Sequence, residues 1–131
     1  MENLGKILGI DYGEKRIGLA ISDESQTFAR ELTIVSPKQF NAELEQLMGE
    51  QEIVEIVLGW PLNMSGAETK KTLEVKDFQI RLQGQVDVPV VVIDERLSSV
   101  MAQKLPGGKK DVDSLAAQIL LQNYLDKKKN K

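Results

Sequence analysis

The pattern of hydrophobic and polar positions predicts an α/β fold that begins with a strand hairpin. An apolar run at positions 7–10 predicts a strand over Lys6–Tyr12, and the similar segment Arg16–Ser22 follows after a Gly-Glu-Lys turn. A third strand is predicted over Phe28–Ser36. Helical and extended patterns alternate after this hairpin-rich start, which implies a mixed sheet with helices packed on it.

The later elements have recognisable starts and apolar spacing. Ser36 followed by Pro37 marks a helix start, and apolar residues continue at helical spacing to Met48. Ser65 and Glu68 have the spacing of a capping box, which predicts a second helix that runs to about Gln83. Further strands are predicted at Ile53–Leu58 and Val88–Asp94, and further helices at Ser99–Leu105 and Asp113–Asp126. The continuous apolar run near position 91 is typical of a parallel strand covered on both faces. We expect a single domain over residues 1–131 with right-handed crossovers.

Two missing residue types restrict the chemistry. The chain contains no cysteine and no histidine, which excludes disulfides, thiolate metal sites, Ser-His-Asp triads and His-ligated zinc. General acid–base catalysis would therefore depend on carboxylates, Lys, Tyr or metal-bound water. The sequence has no apolar run of about 18 residues and no signal-peptide pattern, so we expect a cytoplasmic protein without a membrane partner.

The charge distribution bears on the choice of partner. The net charge is −3, and four lysines form a basic C-terminal tail over residues 127–131, which we expect to be a solvated, frayed end. The remaining body is more acidic still. An acidic body argues weakly against nucleic acid as a partner, unless bound divalent cations neutralise a cluster of carboxylates.

Three acids are candidates for such a cluster. Asp11 and Glu95 come at the carboxyl ends of predicted strands, where ligands bind in open α/β sheets, and each continues an otherwise apolar strand face. Asp113 begins the apolar stripe of the last helix, in which Ala116 and Ala117 would allow a close approach to the sheet. Converging acids repel one another unless a cation neutralises them, and oxygen-only ligation favours Mg²⁺ or Mn²⁺. Such a site can activate water at a phosphodiester.

Each acid also has a structural interpretation. Asp11 could be a turn residue that closes its strand, and Asp113 could be an N-cap. Glu95 could form a surface ion pair with Arg96 or Lys104. The residue pattern alone therefore leaves a nuclease as one hypothesis among several.

Four segments resemble the YqgF-type pre-16S rRNA nucleases, a family also described as Holliday-junction-resolvase-like. They are residues 8–23 (LGIDYGEKRIGLAISD), 57–66 (VLGWPLNMSG), 94–99 (DERLSS) and 113–126 (DSLAAQILLQNYLD). The segments follow the family's order and span nearly the whole chain, so the chain is identified as a member of this family.

The resemblance implies a ribonuclease-H-like fold: a five-stranded mixed sheet of order 3-2-1-4-5, with strand 2 antiparallel and helices on both faces. It also implies a Mg²⁺-dependent (or Mn²⁺-dependent) endonuclease in which Asp11, Glu95 and Asp113 are catalytic residues and metal ligands. The implied substrate is precursor 16S rRNA, cleaved in maturation of its 5′ end, with ribosomal particles as further partners. Basic residues in matching motifs would contact the substrate, namely Arg16, Arg96, Lys109 and Lys110. For Arg16 and Arg96, ion pairs that hold the motif in place are the alternative role.

The sequence departs from the family pattern at three places. Trp60 replaces a smaller apolar residue, and Ser98 and Ser99 replace threonines while keeping the hydroxyls. The segment between Arg96 and Asp113 is short, Gly-rich and less basic than the pattern. This last departure affects substrate binding more than catalysis.

Two alternatives stay open and a third does not. A resolvase of branched DNA would share the site but would need a twofold dimer, whereas the rRNA nuclease could be a monomer or a homodimer. A non-catalytic nucleic-acid-binding module could have lost its acids, whereas all three are retained here. An ATPase of the actin and sugar-kinase type resembles the hairpin around Asp11, but it needs a second lobe for which 131 residues leave no room.

Overall fold

Within the residues that the structure describes, five strands and three helices follow one another. The computed structural model describes residues 3–61, 65–94 and 112–129, and for residues 112–114 it describes the backbone alone. The elements are β1 (Lys6–Tyr12), β2 (Ile17–Ser22), β3 (Ala29–Val35), α1 (Pro37–Glu50), β4 (Ile53–Trp60), α2 (Lys70–Gln83), β5 (Val90–Asp94) and α3 (Val112–Lys129). The helix predicted at Ser99–Leu105 lies outside the described residues. No helix within the described ranges is long and apolar enough to cross a membrane.

The strands form one mixed sheet of order β3-β2-β1-β4-β5. β2 is antiparallel to both β1 and β3, whereas β4 is parallel to β1 and β5. The expected order 3-2-1-4-5 with an antiparallel second strand is confirmed. The parallel strands β1, β4 and β5 therefore end at the same side of the sheet, at Tyr12, Trp60 and Asp94, and we call this side the carboxyl edge.

Helices cover both faces of the sheet, as expected. α1 and α2 pack on the face that includes Leu8 and Ile10 of β1. α3 packs on the opposite face, against Ile7 and Val57, and we call this the α3 face. Neighbouring residues of β1 therefore point into two different cores, because side chains alternate along a strand.

α2 begins later than the sequence predicts. Ser36 and Gln39 form the expected capping box at the start of α1, but Ser65 and Glu68 do not open α2. The N-cap is Thr69, whose hydroxyl accepts the backbone N–H of Thr72 in a second capping box with the same spacing. The buried Thr72 hydroxyl also donates to the carbonyl of Pro61 at the end of β4. This tertiary contact selects the later of the two caps.

Two further expectations need correction. α3 continues to Lys129, so Lys127–Lys129 belong to a helix and are not a frayed tail. Cations at a helix C-terminus interact favourably with the helix dipole, and Lys128 also forms an ion pair with Glu55 over 3.3 Å.

β5 is an edge strand, and Val92 is 36 % exposed, so the strand is not covered on both faces at that position.

α3 approaches β1 closely at Gly9. A Cβ atom built on Gly9 would lie 3.0 Å from the Cβ of Leu121 and 3.3 Å from the carbonyl oxygen of Ala117. Leu121 and Ala117 are both fully buried. The expectation that alanine lets the helix sit close to the sheet is confirmed at Ala117, and Gly9 provides the matching space on the strand.

α3 also covers the beginning of the edge strand β3. The amide of Gln122 accepts the backbone N–H of Ala29 over 2.8 Å and donates to the carbonyl of Thr27 over 2.9 Å. Gln118 donates to the carbonyl of Ala29 over 3.3 Å. These glutamines pair backbone groups that an edge strand would otherwise leave open to another chain.

The loop between β2 and β3 is closed by the side chain of Asp23. Its carboxylate accepts the hydroxyl of Ser25 and the backbone N–H groups of Thr27 and Phe28. Desolvation raises the pKa of Asp23, but the hydrogen bonds together outweigh it and lower the pKa from 3.8 to about 2.

Replacing Gly9 by valine is expected to lower the free energy of unfolding by about 1–3 kcal/mol, because the added methyl groups overpack the contact with α3. Urea denaturation followed by circular dichroism measures the change. Gly49→Ala in α1 is the matched control, since nothing lies within 4 Å of a Cβ built there, and it should be neutral or stabilising. A Gly9→Val variant as stable as the original chain would contradict the close packing of α3 on β1.

The pKa of Asp23 predicts a pH dependence of stability. Because the folded-state pKa is depressed, the carboxylate stabilises the fold above 3.8, and this contribution is lost as the pH falls from 3.8 toward about 2. Asp23→Asn should lower the free energy of unfolding at neutral pH by about 1 kcal/mol and flatten the acid limb. Urea denaturation at a series of pH values tests this. Glu24→Gln, an exposed neighbour, should leave the acid limb unchanged.

Candidate active site

Asp11 lies at the carboxyl edge, in the second-to-last position of β1. It is partly buried and shares the α3 face with Ile7 and Gly9. Its partner across the hairpin is Gly18 of β2. Two positions that adjoin Asp11 on this face, Gly9 and Gly18, therefore carry no side chain. Glycines of this kind allow a ligand or a backbone to approach the sheet closely.

α3 runs in the opposite direction to β1, which brings its N-terminal end toward Asp11. Ala117 and Leu121 lie over Gly9, whereas Tyr124, further along α3, contacts Glu55, whose register partner on β1 is Ile7. Each step toward the start of α3 is therefore a step toward the carboxyl edge.

Measured along the axis of β1, Asp11 and Asp113 consequently lie at similar distances from the contact at Gly9, both on the side of the carboxyl edge. Asp113 precedes Ala117 by one turn, or about 6 Å of helix. Asp11 follows Gly9 by two residues, or about 6.6 Å of strand. Asp113 follows Val112 inside the first turn of α3, so it is a helical residue and not the N-cap. The backbone thus brings the two acids to the same end of the α3 face.

A hydrogen-bonded pair fastens the other end of α3 to the sheet. The hydroxyl of Tyr124 donates to the carboxylate of Glu55 over 2.6 Å, and the side chain of Glu55 is only 15 % exposed. Desolvation, followed by the hydrogen bond and the negative charge of Glu55, raises the pKa of Tyr124 well above its usual range. Tyr124 therefore stays protonated as a donor, and α3 is held at both the Gly9 contact and this pair.

The β1–β2 hairpin holds Arg16 beside the carboxyl edge. A Cβ atom on Gly13 would clash with the carbonyl oxygen of Arg16, so the turn requires glycine there. Arg16 is exposed and makes no ion pair within the described part of the chain. Its guanidinium is therefore available to a ligand.

The described residues bring together only some of the predicted site. Glu95, Arg96, Lys109 and Lys110 lie outside them, and Asp113 is described by its backbone alone. Among the described side chains, no group of three or more acids could hold a metal ion. Trp60 packs against the α1 and α2 core, with the ammonium of Lys76 5.7 Å from its ring centroid.

Sequence reasoning missed Glu55 and its partner Tyr124. The signal was present, since Glu55 is the one charged residue within the apolar segment Ile53–Leu58. A charged side chain on a covered strand face needs a partner. What the pattern could not supply was the identity of that partner, which lies 69 positions away.

A family model described as "RuvX: Holliday junction resolvase" matches residues 5–127. A protein of Maridesulfovibrio salexigens named "Putative pre-16S rRNA nuclease" is 39% identical over 131 residues, covering 92% of this chain and 97% of its own length. A protein of the same name from Thermoanaerobacter pseudethanolicus is 38% identical over 138 residues, covering 96% and 99%. These matches confirm the resemblance found in the sequence.

Solved structures of similar fold include RuvC of Thermus thermophilus in complex with a Holliday junction substrate. It superposes with a TM-score of 0.61 at 12% identity, covering 95% of this chain and 96% of that one. The fowlpox virus resolvase in complex with Holliday junction DNA superposes with a TM-score of 0.50 at 16% identity, covering 93% and 97%. The fold is therefore shared with these proteins, which confirms the expected fold class.

Tyr124→Phe is expected to lower the free energy of unfolding by roughly 1–3 kcal/mol, because the carboxylate of Glu55 loses its hydroxyl donor. A double-mutant cycle with Glu55→Gln, measured by urea denaturation, should give a coupling energy above about 0.5 kcal/mol. Glu52→Gln, an exposed acid next to β4, is the matched control and should show no coupling. Additive effects of the two substitutions would contradict this anchor of α3.

Proposed function

The chain belongs to the RuvX family of Holliday junction resolvases, and from this membership we propose that it is a metal-dependent endonuclease that hydrolyses phosphodiester bonds. The observation that carries the proposal is the arrangement at the carboxyl edge. Asp11 and Asp113 reach the same end of the α3 face, next to positions that have no side chain. Relatives at 39% and 38% identity named as nucleases support the same activity.

In this proposal, Asp11, Glu95 and Asp113 are the catalytic residues and the metal ligands. Their donor set is oxygen only, which suits Mg²⁺ or Mn²⁺ better than zinc. In the sequence, Glu95 directly follows Asp94, the last residue of β5. When bound, the cation would neutralise the acids and supply Lewis-acid activation of water and phosphate.

The remaining side chains would hold the substrate. Arg16 is exposed beside Asp11 and has no ion-pair partner among the described residues, so its guanidinium can bind a phosphate. We assign the same role to Arg96, Lys109 and Lys110, which flank the other two acids in sequence. Binding the backbone on both sides of the scissile bond orients that bond toward Asp11.

We propose precursor 16S rRNA as the substrate, cleaved during maturation of its 5′ end. The names of the two relatives described above support this choice. Ribosomal particles would then be partners, because they contain the precursor.

A four-way DNA junction is the second candidate substrate, and the description of the matching family favours it. Symmetric cleavage of a junction needs two sites, and therefore a twofold dimer. An rRNA nuclease has no such requirement.

The test compares Asp11→Asn and Asp113→Asn with the original chain on labelled precursor 16S rRNA and, in parallel, on a labelled four-way DNA junction. Each reaction contains Mg²⁺, Mn²⁺ or a chelator. Each variant is expected to lose about 100-fold or more in cleavage rate, because an amide is a poorer ligand for a hard cation and several kcal/mol of stabilisation are lost. Asp87→Asn, an exposed acid in the loop before β5, is the matched control and should retain activity.

Metal binding gives a second, independent measurement. Titration with Mn²⁺ should show weaker binding to Asp113→Asn than to the original chain. Cleavage that survives both substitutions or the chelator would reject the proposed site, and undiminished Mn²⁺ binding would reject its role as a metal centre. A non-catalytic binding module would then be the better description.

A further inference from the structure

A cavity of about 140 Å³ lies between the beginning of α1 and the end of α2. Its residues divide into an apolar, largely aromatic wall and a polar group that is open to solvent. The wall contains Tyr12, Ile17, Pro37, Phe40 and Phe78, and the polar group contains Asn41, Arg81 and Gln85. Ile17, Phe40 and Phe78 are buried, whereas all three polar residues are exposed.

Tyr12 is the accessible ring of the wall, since it is only partly buried, whereas Phe40 and Phe78 are 2 % and 6 % exposed and pack behind it. The ring centroids of Tyr12 and Phe78 are 4.4 Å apart with planes inclined by 33°, and those of Phe40 and Phe78 are 5.1 Å apart and nearly edge to face. Rings of this kind bind a flat, unsaturated ring system by stacking or edge contact.

The polar group has unused hydrogen-bonding capacity. Gln85 Nε2 donates to Asn41 Oδ1 over 2.9 Å, which joins the two amides across the opening. Within the described residues this leaves one acceptor, Gln85 Oε1, and one donor, Asn41 Nδ2, without a partner. Arg81 likewise makes no ion pair with any described residue, and no carboxylate lines the cavity although the chain as a whole is acidic.

We propose that this cavity binds one nucleobase of the substrate. The ring of Tyr12 would stack on the base, the Asn41–Gln85 pair would hydrogen-bond its edge, and Arg81 would contact the adjoining phosphate. Enzymes that read single bases use this combination of an apolar or aromatic wall with amide and guanidinium groups. The space suits one ring system better than a whole nucleotide.

The position of the cavity gives it a role in the cleavage reaction, and to that extent the inference rests on the proposed function. Tyr12 directly follows Asp11 at the carboxyl edge, and the two side chains lie on opposite faces of β1. A base held against Tyr12 would fix which phosphodiester bond reaches Asp11. The cavity would therefore determine the site of cleavage, while the acids perform the reaction.

Binding of single nucleotides tests the proposal without any cleavage. The four nucleoside 5′-monophosphates of RNA are titrated into the full chain in the absence of divalent metal, and backbone amide signals are followed by ¹H–¹⁵N NMR. Saturable shifts are expected at Tyr12, Asn41 and Gln85, with one base preferred over the others. The double variant Asn41→Ala/Gln85→Ala should bind that nucleotide about tenfold more weakly.

Gln83→Ala is the matched control, since Gln83 is an exposed amide on α2 outside the cavity; it should bind as the original chain does. No saturable shift with any of the four nucleotides, or a double variant that binds the preferred nucleotide as tightly as the original chain, would overturn the proposal. A spectrum of the double variant recorded without nucleotide shows whether this variant is folded. Because this experiment involves neither metal nor Asp11, its failure is distinguishable from a failure of the nuclease assay.

Discussion

The contact between α3 and β1 at Gly9 sets where the last helix lies on the sheet, and with it the geometry of the carboxyl edge. A helix can lie this close to a sheet only where the strand has no side chain, and the nearest groups on α3 are Ala117 and Leu121. The contact fixes the height of α3 along β1, which brings Asp113 level with Asp11. It also places Gln122 against the backbone of β3, so one packing contact positions a candidate catalytic helix and covers a sheet edge.

Alternation along β1 separates two tasks at the carboxyl edge. Asp11 lies on the α3 face, beside the glycine on which α3 packs, and Tyr12 lies on the opposite face, against the aromatic residues of α1 and α2. In our proposals, hydrolysis therefore occurs on one side of the strand and base recognition on the other. Adjacent positions on a strand are the shortest rigid link between two such sites.

The sequence predicted the elements whose signals are local. The capping box of Ser36 and Gln39 involves residues three apart, and the β1–β2 hairpin is closed by its own turn, so both were predicted correctly. The predicted start of α2 was wrong. Two possible capping boxes lie within a few residues of each other, and the hydrogen bond between Thr72 and Pro61 stabilises the second. The predicted end of α3 was three residues short of the observed end at Lys129; Lys128 pairs there with Glu55, a partner far away in sequence.

Motifs, apolar periodicity and strand alternation are properties of neighbouring residues, so the family, the order of the elements and the strand face of Asp11 could be predicted from the chain alone. Which distant groups meet depends instead on tertiary packing. Tyr124 and Glu55 are separated by 69 positions and Gln85 and Asn41 by 44, and no local pattern pairs them. The height of α3 on the sheet belongs to the same class, because it follows from how closely a helix can pack on a glycine of another element.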